Sequence, residues 1–296
     1  MQRVFLRLGP LAVAIGGIGL LSIMDGMIKH ATFSYGTGQV VVLRYAFGAL
    51  VAFAVFRFAG TPWPSPATIR AHGWRAVVVV ITAVSFFYAL ATLPLAVALA
   101  LSFTSPIFIA LFARIGLGER PSGHVAAALT LGLLGVVVVL WDELQRVGGG
   151  SALGIGASLV SAIAYALSMV ALKHRTAHDP ITTIVMLQNV LAMALAAPLA
   201  AVDWRTPEIA SLAFFAVIGL IGAGGHLCLA WAYGRAEANR LAVMEYTSFV
   251  WAALIGLFVF GEVPSLGTVG GAGLIICGAA LVSRAHPSEP EAEIGP

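Results

Sequence analysis

Charge is what this chain has least of. Only 10% of its 296 residues are Asp, Glu, Lys or Arg, where a soluble domain carries about 25%. A soluble core of this size has no room for the apolar surface that 60% hydrophobic residues present, so lipid is the natural solvent. Net charge is +3 with no basic run, which excludes a nucleic-acid partner. The two cysteines, Cys228 and Cys277, lie inside apolar stretches without a CxxC, so neither a disulfide framework nor a metal site is expected. No HExxH, P-loop, GxSxG or cluster of histidines and carboxylates occurs, which argues against an enzyme and against a cofactor.

What the chain does have is a series of apolar runs: 9–28, 38–56, 76–93, 95–113, 123–141, 152–172, 181–201, 209–233, 241–260 and 266–283. Each is near the roughly 20 residues that cross a hydrocarbon core as a helix. They are continuous and rich in Ala and Leu rather than alternating, which excludes a β-barrel. The first run is too long for a signal-peptide core and lacks a clean cleavage site, so it reads as a true span. The fold class expected is an all-α membrane protein of ten transmembrane helices. The Pro- and Glu-rich segment 285–296 reads as a disordered cytoplasmic tail.

Positive charges orient the spans. With the N-terminus in the cytoplasm, Arg3, Arg7, Arg57, Arg70, Arg75, Arg114, Arg120, Lys173, Arg175, Arg235, Arg240 and Arg284 fall inside. Lys29, Arg146 and Arg205 fall outside and Arg44 lies within a span, which accounts for all 16 basic residues. Both termini are therefore expected in the cytoplasm.

A shift of 143 positions aligns Gly118-Glu119-Arg120-Pro121 with Gly261-Glu262-Val263-Pro264, Thr104-Ser105 with Thr247-Ser248, Tyr88-Ala89 with Trp231-Ala232 and Gly135 with Gly278. One further position brings Lys29-His30 onto Lys173-His174. Residues 1–143 and 151–284 thus read as two five-helix repeats. Five is odd, so the second lies inverted, an arrangement typical of carriers with a site near the midplane between the halves.

The two halves, each closing its fourth span with G-E-x-P before a Gly-rich helix, resemble the EamA-type drug/metabolite transporter superfamily. Arg44 in Val42-Leu43-Arg44-Tyr45 adds to the likeness. The aromatic content and layout are similar to YddG-type aromatic amino-acid exporters. The resemblance implies peripheral fifth and tenth spans, eight helices around a central cavity, and a cell inner membrane location. It also implies export of amino acids, aromatic and other apolar ones included, or related metabolites by alternating access, with a multidrug or cationic-compound exporter as the alternative. A channel is a further possibility. The partners expected are a small-molecule substrate and the bilayer, with the monomer functional. In the tenth span Gly267 and Gly271 form a GxxxG pair suited to close packing within the monomer.

Polar groups inside the membrane are costly and call for a reason. Asp25 and Arg44, at similar depth, are expected to pair, as a structural tie or as a gate. Glu245 either snorkels toward Arg235 or Arg240 or meets a substrate ammonium or a proton. His226 is a packing residue or a substrate contact. By repeat symmetry, Tyr88 with Trp231, Thr104 with Thr247 and Ser105 with Ser248 are candidate cavity residues, joined by Tyr165, Phe86 and Tyr233. The hydroxyls have the alternative of bonding back to their own helix, and Pro106 is expected to break the fourth span.

Overall fold

Without water in the bilayer, a spanning chain must satisfy its own backbone, and continuous apolar runs do so as helices. The computed structural model describes residues 2–93, 98, 101–147, 152–260 and 266–284. In chain order the helices are α1 (Gln2–Thr32), α2 (Thr37–Phe58), α3 (Pro66–Thr92), α4 (Ser105–Gly116), α5 (Gly123–Val147), α6 (Ala152–Thr176), α7 (Ile181–Ala200), α8 (Ile209–Tyr233), α9 (Ala238–Glu245), α10 (Thr247–Phe260) and α11 (Leu266–Arg284). With α9 and α10 counted as one broken helix, the fold is a ten-helix bundle. Among the described residues, six helices are long and apolar enough to cross a membrane: α1 from Gly9, α2, α3, α6, α7 and α8. Gly9, at φ 75° and ψ 160°, separates the membrane part of α1 from the turns before it, a backbone setting that a residue with Cβ rarely adopts.

The inverted repeat is written in the hydrogen bonds. Lys29 donates to the Leu93 carbonyl at 3.1 Å, and its repeat mate Lys173 donates to Ala236 at 2.8 Å, the residue equivalent to Leu93. Thr32 and Thr176 each bond back to the carbonyl of that lysine at 2.7 Å. The helix pairs obey the same symmetry: α1 packs on α8 as α6 packs on α3, α2 meets α7, and α5 meets α11. The two halves therefore hold each other rather than standing as separate bundles.

Close approach sets these crossings. A Cβ on Gly219 of α8 would lie 2.6 Å from the Gly48 nitrogen of α2, and one on Gly225 would lie 3.1 Å from the Gly17 oxygen of α1. The crossing related to Gly17–Gly225 uses Ser161 and Thr82 instead, with the Ser161 hydroxyl donating to the Thr82 carbonyl at 3.0 Å. At the edge of the fold, a Cβ on Gly135 would lie 2.7 Å from the Gly271 oxygen, and one on Gly278 would lie 3.0 Å from the Ala128 oxygen. Gly271 thus serves packing between α5 and α11 inside the monomer.

Three expectations change. The third helix begins at Pro66, ten residues before the apolar run, because Ser65 caps it by accepting the Thr68 N–H at 3.1 Å and Pro66 starts it. Arg75 is consequently inside the bundle, 1% exposed, and not in a cytoplasmic loop. The ninth span is broken at Tyr246, between α9 and α10. The fourth is broken at the equivalent place, Phe103–Thr104, and Pro106 sits in the first turn of α4 where its missing N–H costs little. The segments 261–265, which hold the second G-E-x-P, and 285–296 lie outside the described residues.

Candidate substrate cavity between the repeats

The helices enclose a cavity of about 160 Å³. Its wall straddles the repeat axis: Ile18 and Ala162, Leu21 and Tyr165, Met24 and Ser168, Asp25 and Met169, Arg44 and Gln188, Ala83 and His226, Ser102 and Glu245, and Ser105 and Ser248 all line it. Each is a repeat pair at the shift of 143 or 144. Position is shared within each pair, and apart from Ser105 with Ser248 and the apolar Ile18 with Ala162, chemistry is not. Tyrosine faces leucine, aspartate faces methionine, glutamate faces serine. Phe86, Phe87 and Phe103 supply the aromatic surface.

Arg44 is the best-held charge. It is 2% exposed and donates to Asn189 Oδ1 and to His226 Nε2, each at 3.3 Å, with its guanidinium 4.0 Å from the Tyr45 ring centroid. Since arginine only donates, the His226 Nε2 accepts and its ring is neutral with the proton on Nδ1. The expected contact with Asp25 is not present in this conformation: among the described residues no carboxylate oxygen lies within 4.0 Å of the guanidinium, although Arg44 acts electrostatically on the Asp25 carboxylate. Helix α8 places His226 and Gly222 against the guanidinium. The Arg44 Nε has no hydrogen-bond partner. Asp25 faces the cavity without a hydrogen bond among the described residues.

Sequence reasoning did not single out Arg75 or Gln188. Arg75 donates to Gln188 Oε1 at 2.7 Å and to the Ser168 carbonyl at 3.5 Å. Gln188 is the repeat mate of Arg44, and each reaches the third helix of the opposite half. The cue in the sequence is Ser65-Pro66, a helix start that draws Arg75 inside.

Glu245 ends α9 on the cavity wall and accepts a 2.8 Å bond from the Tyr165 hydroxyl. It does not snorkel. Arg235 instead donates to the Trp231 carbonyl and stacks over the Trp231 ring at 4.2 Å, and Arg240 donates to the Val282 carbonyl.

The aromatic repeat pair is not on the wall. Tyr88 is 37% exposed, and Trp231 is 6% exposed beneath Arg235. Both belong to helix faces turned away from the cavity, which α3 lines with Val79, Thr82, Ala83, Phe86 and Phe87. Thr104 and Thr247 bond back to the Leu101 and Met244 carbonyls at 2.8 and 2.7 Å, closing the two helix breaks. Ser105, Ser248, Tyr165 and His226 reach the wall, and Tyr233 is fully buried behind it.

The G-E-x-P motif also acquires a role. Glu119 accepts the N–H groups of Ala238 and Asn239, both at 3.1 Å, and so caps α9 from the other half.

Residues 9–141 and 152–284 each match the model of the EamA-like transporter family. Among characterised relatives, a pseudopaline exporter of Pseudomonas aeruginosa is 29% identical over 266 residues, covering 89% of this chain and 92% of its own. A riboflavin transporter of Rhizobium johnstonii is 28% identical over 285 residues, covering 94% and 89%. An S-adenosylmethionine uptake transporter of Rickettsia bellii is 23% identical over 267 residues, covering 88% and 90%. These relatives do not single out the YddG-type exporters. A solved crystal structure shares the fold with a TM-score of 0.76 at 22% identity, over 93% of this chain and 98% of that one.

Proposed function

Because the chain belongs to the EamA-like transporter family, and is thus a multi-pass membrane transporter of small metabolites rather than an enzyme, we propose that its cargo is amphoteric. The substrate class is a small metabolite with a carboxylate, an amine and an apolar group, of which aromatic amino acids are the simplest members. It is carried outward across the inner membrane by a monomer with both termini in the cytoplasm. One observation carries this reading: the Arg44 guanidinium, whose Nε has no hydrogen-bond partner and which no carboxylate touches among the described residues, shares a cavity with the Asp25 and Glu245 carboxylates and with Phe86, Phe87 and Phe103. A buried charge is stable only when paired. A substrate carboxylate completes Arg44, its ammonium answers the acids, and its side chain lies on the phenylalanines. The similarity to an exporter supports the outward direction.

Asp25, which accepts no hydrogen bond among the described residues, also favours a second reading, export of purely cationic compounds. Uptake of labelled phenylalanine into liposomes holding the purified protein separates the two. Under the amphoteric reading, phenylalanine methyl ester and N-acetylphenylalanine, each missing one charge, compete poorly. Under the cationic reading the ester competes at least as well as phenylalanine. No saturable uptake of phenylalanine or its ester overturns both.

A further inference from the structure

We propose that Glu245 and Tyr165 form a proton-binding site, and that a proton and the substrate ammonium occupy it in turn, making the carrier a proton-coupled antiporter. The ammonium part rests on the amphoteric reading above; the proton site itself does not.

Three observations meet at Glu245. The side chain is 9% exposed and opens only to the cavity. One donor serves its two oxygens, the Tyr165 hydroxyl at 2.8 Å. Among the described residues no arginine, lysine or histidine nitrogen lies within 4.0 Å of it. Each condition disfavours a bare carboxylate and is relieved by a proton or by a cation.

Among the described residues the surroundings hold nothing else that neutralises it. Tyr165 from α6 and Tyr233 from α8 are its ionisable neighbours, and Asp25 from α1 acts on the same Tyr165. The Tyr233 hydroxyl is buried without a partner. The chain around the start of α4 adds Ser102, Phe103 and Ser105 to the wall, none of them charged, and no described residue of α5 or α11 lines it.

The repeat supplies an independent reason to regard this pair as functional. In the first half its mates are Ser102 and Leu21, also on the cavity wall. Packing at these positions is therefore met by serine and leucine. The acid–tyrosine pair exists on one side of the axis only.

The exchange balances. With the cavity open to one side, the O–H bond of protonated Glu245 breaks, the proton passes to water, and the ammonium takes its place against the carboxylate. On the other side the ammonium leaves and water returns a proton. One positive charge replaces another, so Glu245 never crosses the cycle bare.

Two measurements test this. Infrared difference spectra of the purified protein in lipid, recorded across pH without substrate, should contain a carboxylic-acid C=O band that disappears on alkalinisation. Glu245→Gln should remove that band, Asp25→Asn should leave it, and Tyr165→Phe should shift its frequency by removing the donor. A band unchanged in Glu245→Gln overturns the proton site. In liposomes, an inside-acid gradient should stimulate phenylalanine uptake in wild type. Glu245→Gln should abolish the stimulation by the gradient, and it should also abolish the proton release that adding phenylalanine to weakly buffered wild-type protein in detergent is expected to produce. Gradient stimulation that persists in Glu245→Gln overturns the coupling. Wild-type liposomes that carry no phenylalanine would refute the amphoteric reading for that probe, and the infrared result would still decide the proton site.

Discussion

Arg44 of the first repeat donates to Asn189 of the second at 3.3 Å, and both are buried. The contact ties α2 to α7 and aims the rest of the guanidinium at the cavity. Arg44→Lys keeps the charge but cannot span Asn189 and His226 together, since lysine is a point charge on a flexible stem. Expected is a loss of phenylalanine transport of about tenfold or more for both Arg44→Lys and Arg44→Gln, each tenfold corresponding to about 1.4 kcal/mol. Asn189→Ala, which leaves Arg44 one acceptor short, should lower stability by about 1–3 kcal/mol. Liposome transport and thermal unfolding in detergent measure the two effects separately.

The span count and the repeat were legible because lipid imposes a strong rule, long apolar runs with charge only at the turns. The exceptions are instructive. Arg75 follows Arg70, His72, Gly73 and Trp74, a polar stretch that reads as a loop, yet Ser65 and Pro66 start the helix well before it. The cavity was half legible. Matching repeat partners by chemical likeness selected Tyr88 with Trp231, and these lie off the wall. Of the like pairs only Ser105 with Ser248 lines it, and most of the pairs on the wall are unlike in chemistry, because a binding site for an asymmetric molecule has no use for two identical sides. Which way Glu245 turned depended on the break at Tyr246, and Met244-Glu245-Tyr246-Thr247 holds no Pro or Gly to announce one.

Glu119 caps α9 with both carboxylate oxygens. Glu119→Gln keeps one acceptor and should cost less than Glu119→Ala, for which a loss of about 0.5–2 kcal/mol is expected. Since the cap crosses between the halves, the amides of Ala238 and Asn239 should also exchange faster with deuterium in Glu119→Ala. Unchanged exchange there would show that the bond is dispensable.

The burial of Arg75 alters the charge count and not the orientation it implies. Eleven basic residues then lie on the proposed cytoplasmic side and three outside, with Arg44 and Arg75 within the bundle. A reporter fused after Ile294 is expected to act as a cytoplasmic marker, and activity on the far side of the membrane would invert the whole assignment.

The two helix breaks are matched across the repeat. Phe103 and Tyr246 occupy equivalent places in the repeats, their ring centroids are 6.2 Å apart, and each break is closed by a threonine bonding back three residues. The Tyr246 ring lies directly over Gly132 of α5, where a Cβ would collide with it, and its hydroxyl reaches the Leu129 carbonyl at 3.4 Å. The peripheral helix α5 therefore holds one break in place by contact. Gly132→Val should push Tyr246 aside, with an overpacking cost of about 1–3 kcal/mol and slower transport. Gly16→Val is the control, because nothing lies within 4 Å of the Cβ that residue would gain. If the collision is the cause, Tyr246→Ala added to Gly132→Val should recover part of the lost stability, whereas a generic cost of valine in α5 would leave the double variant no better than the single. Transport in the double variant then reports on the break itself: recovery of the melting temperature without recovery of transport means that the Tyr246 ring, and not merely the space it fills, sets the position of Glu245 beside it.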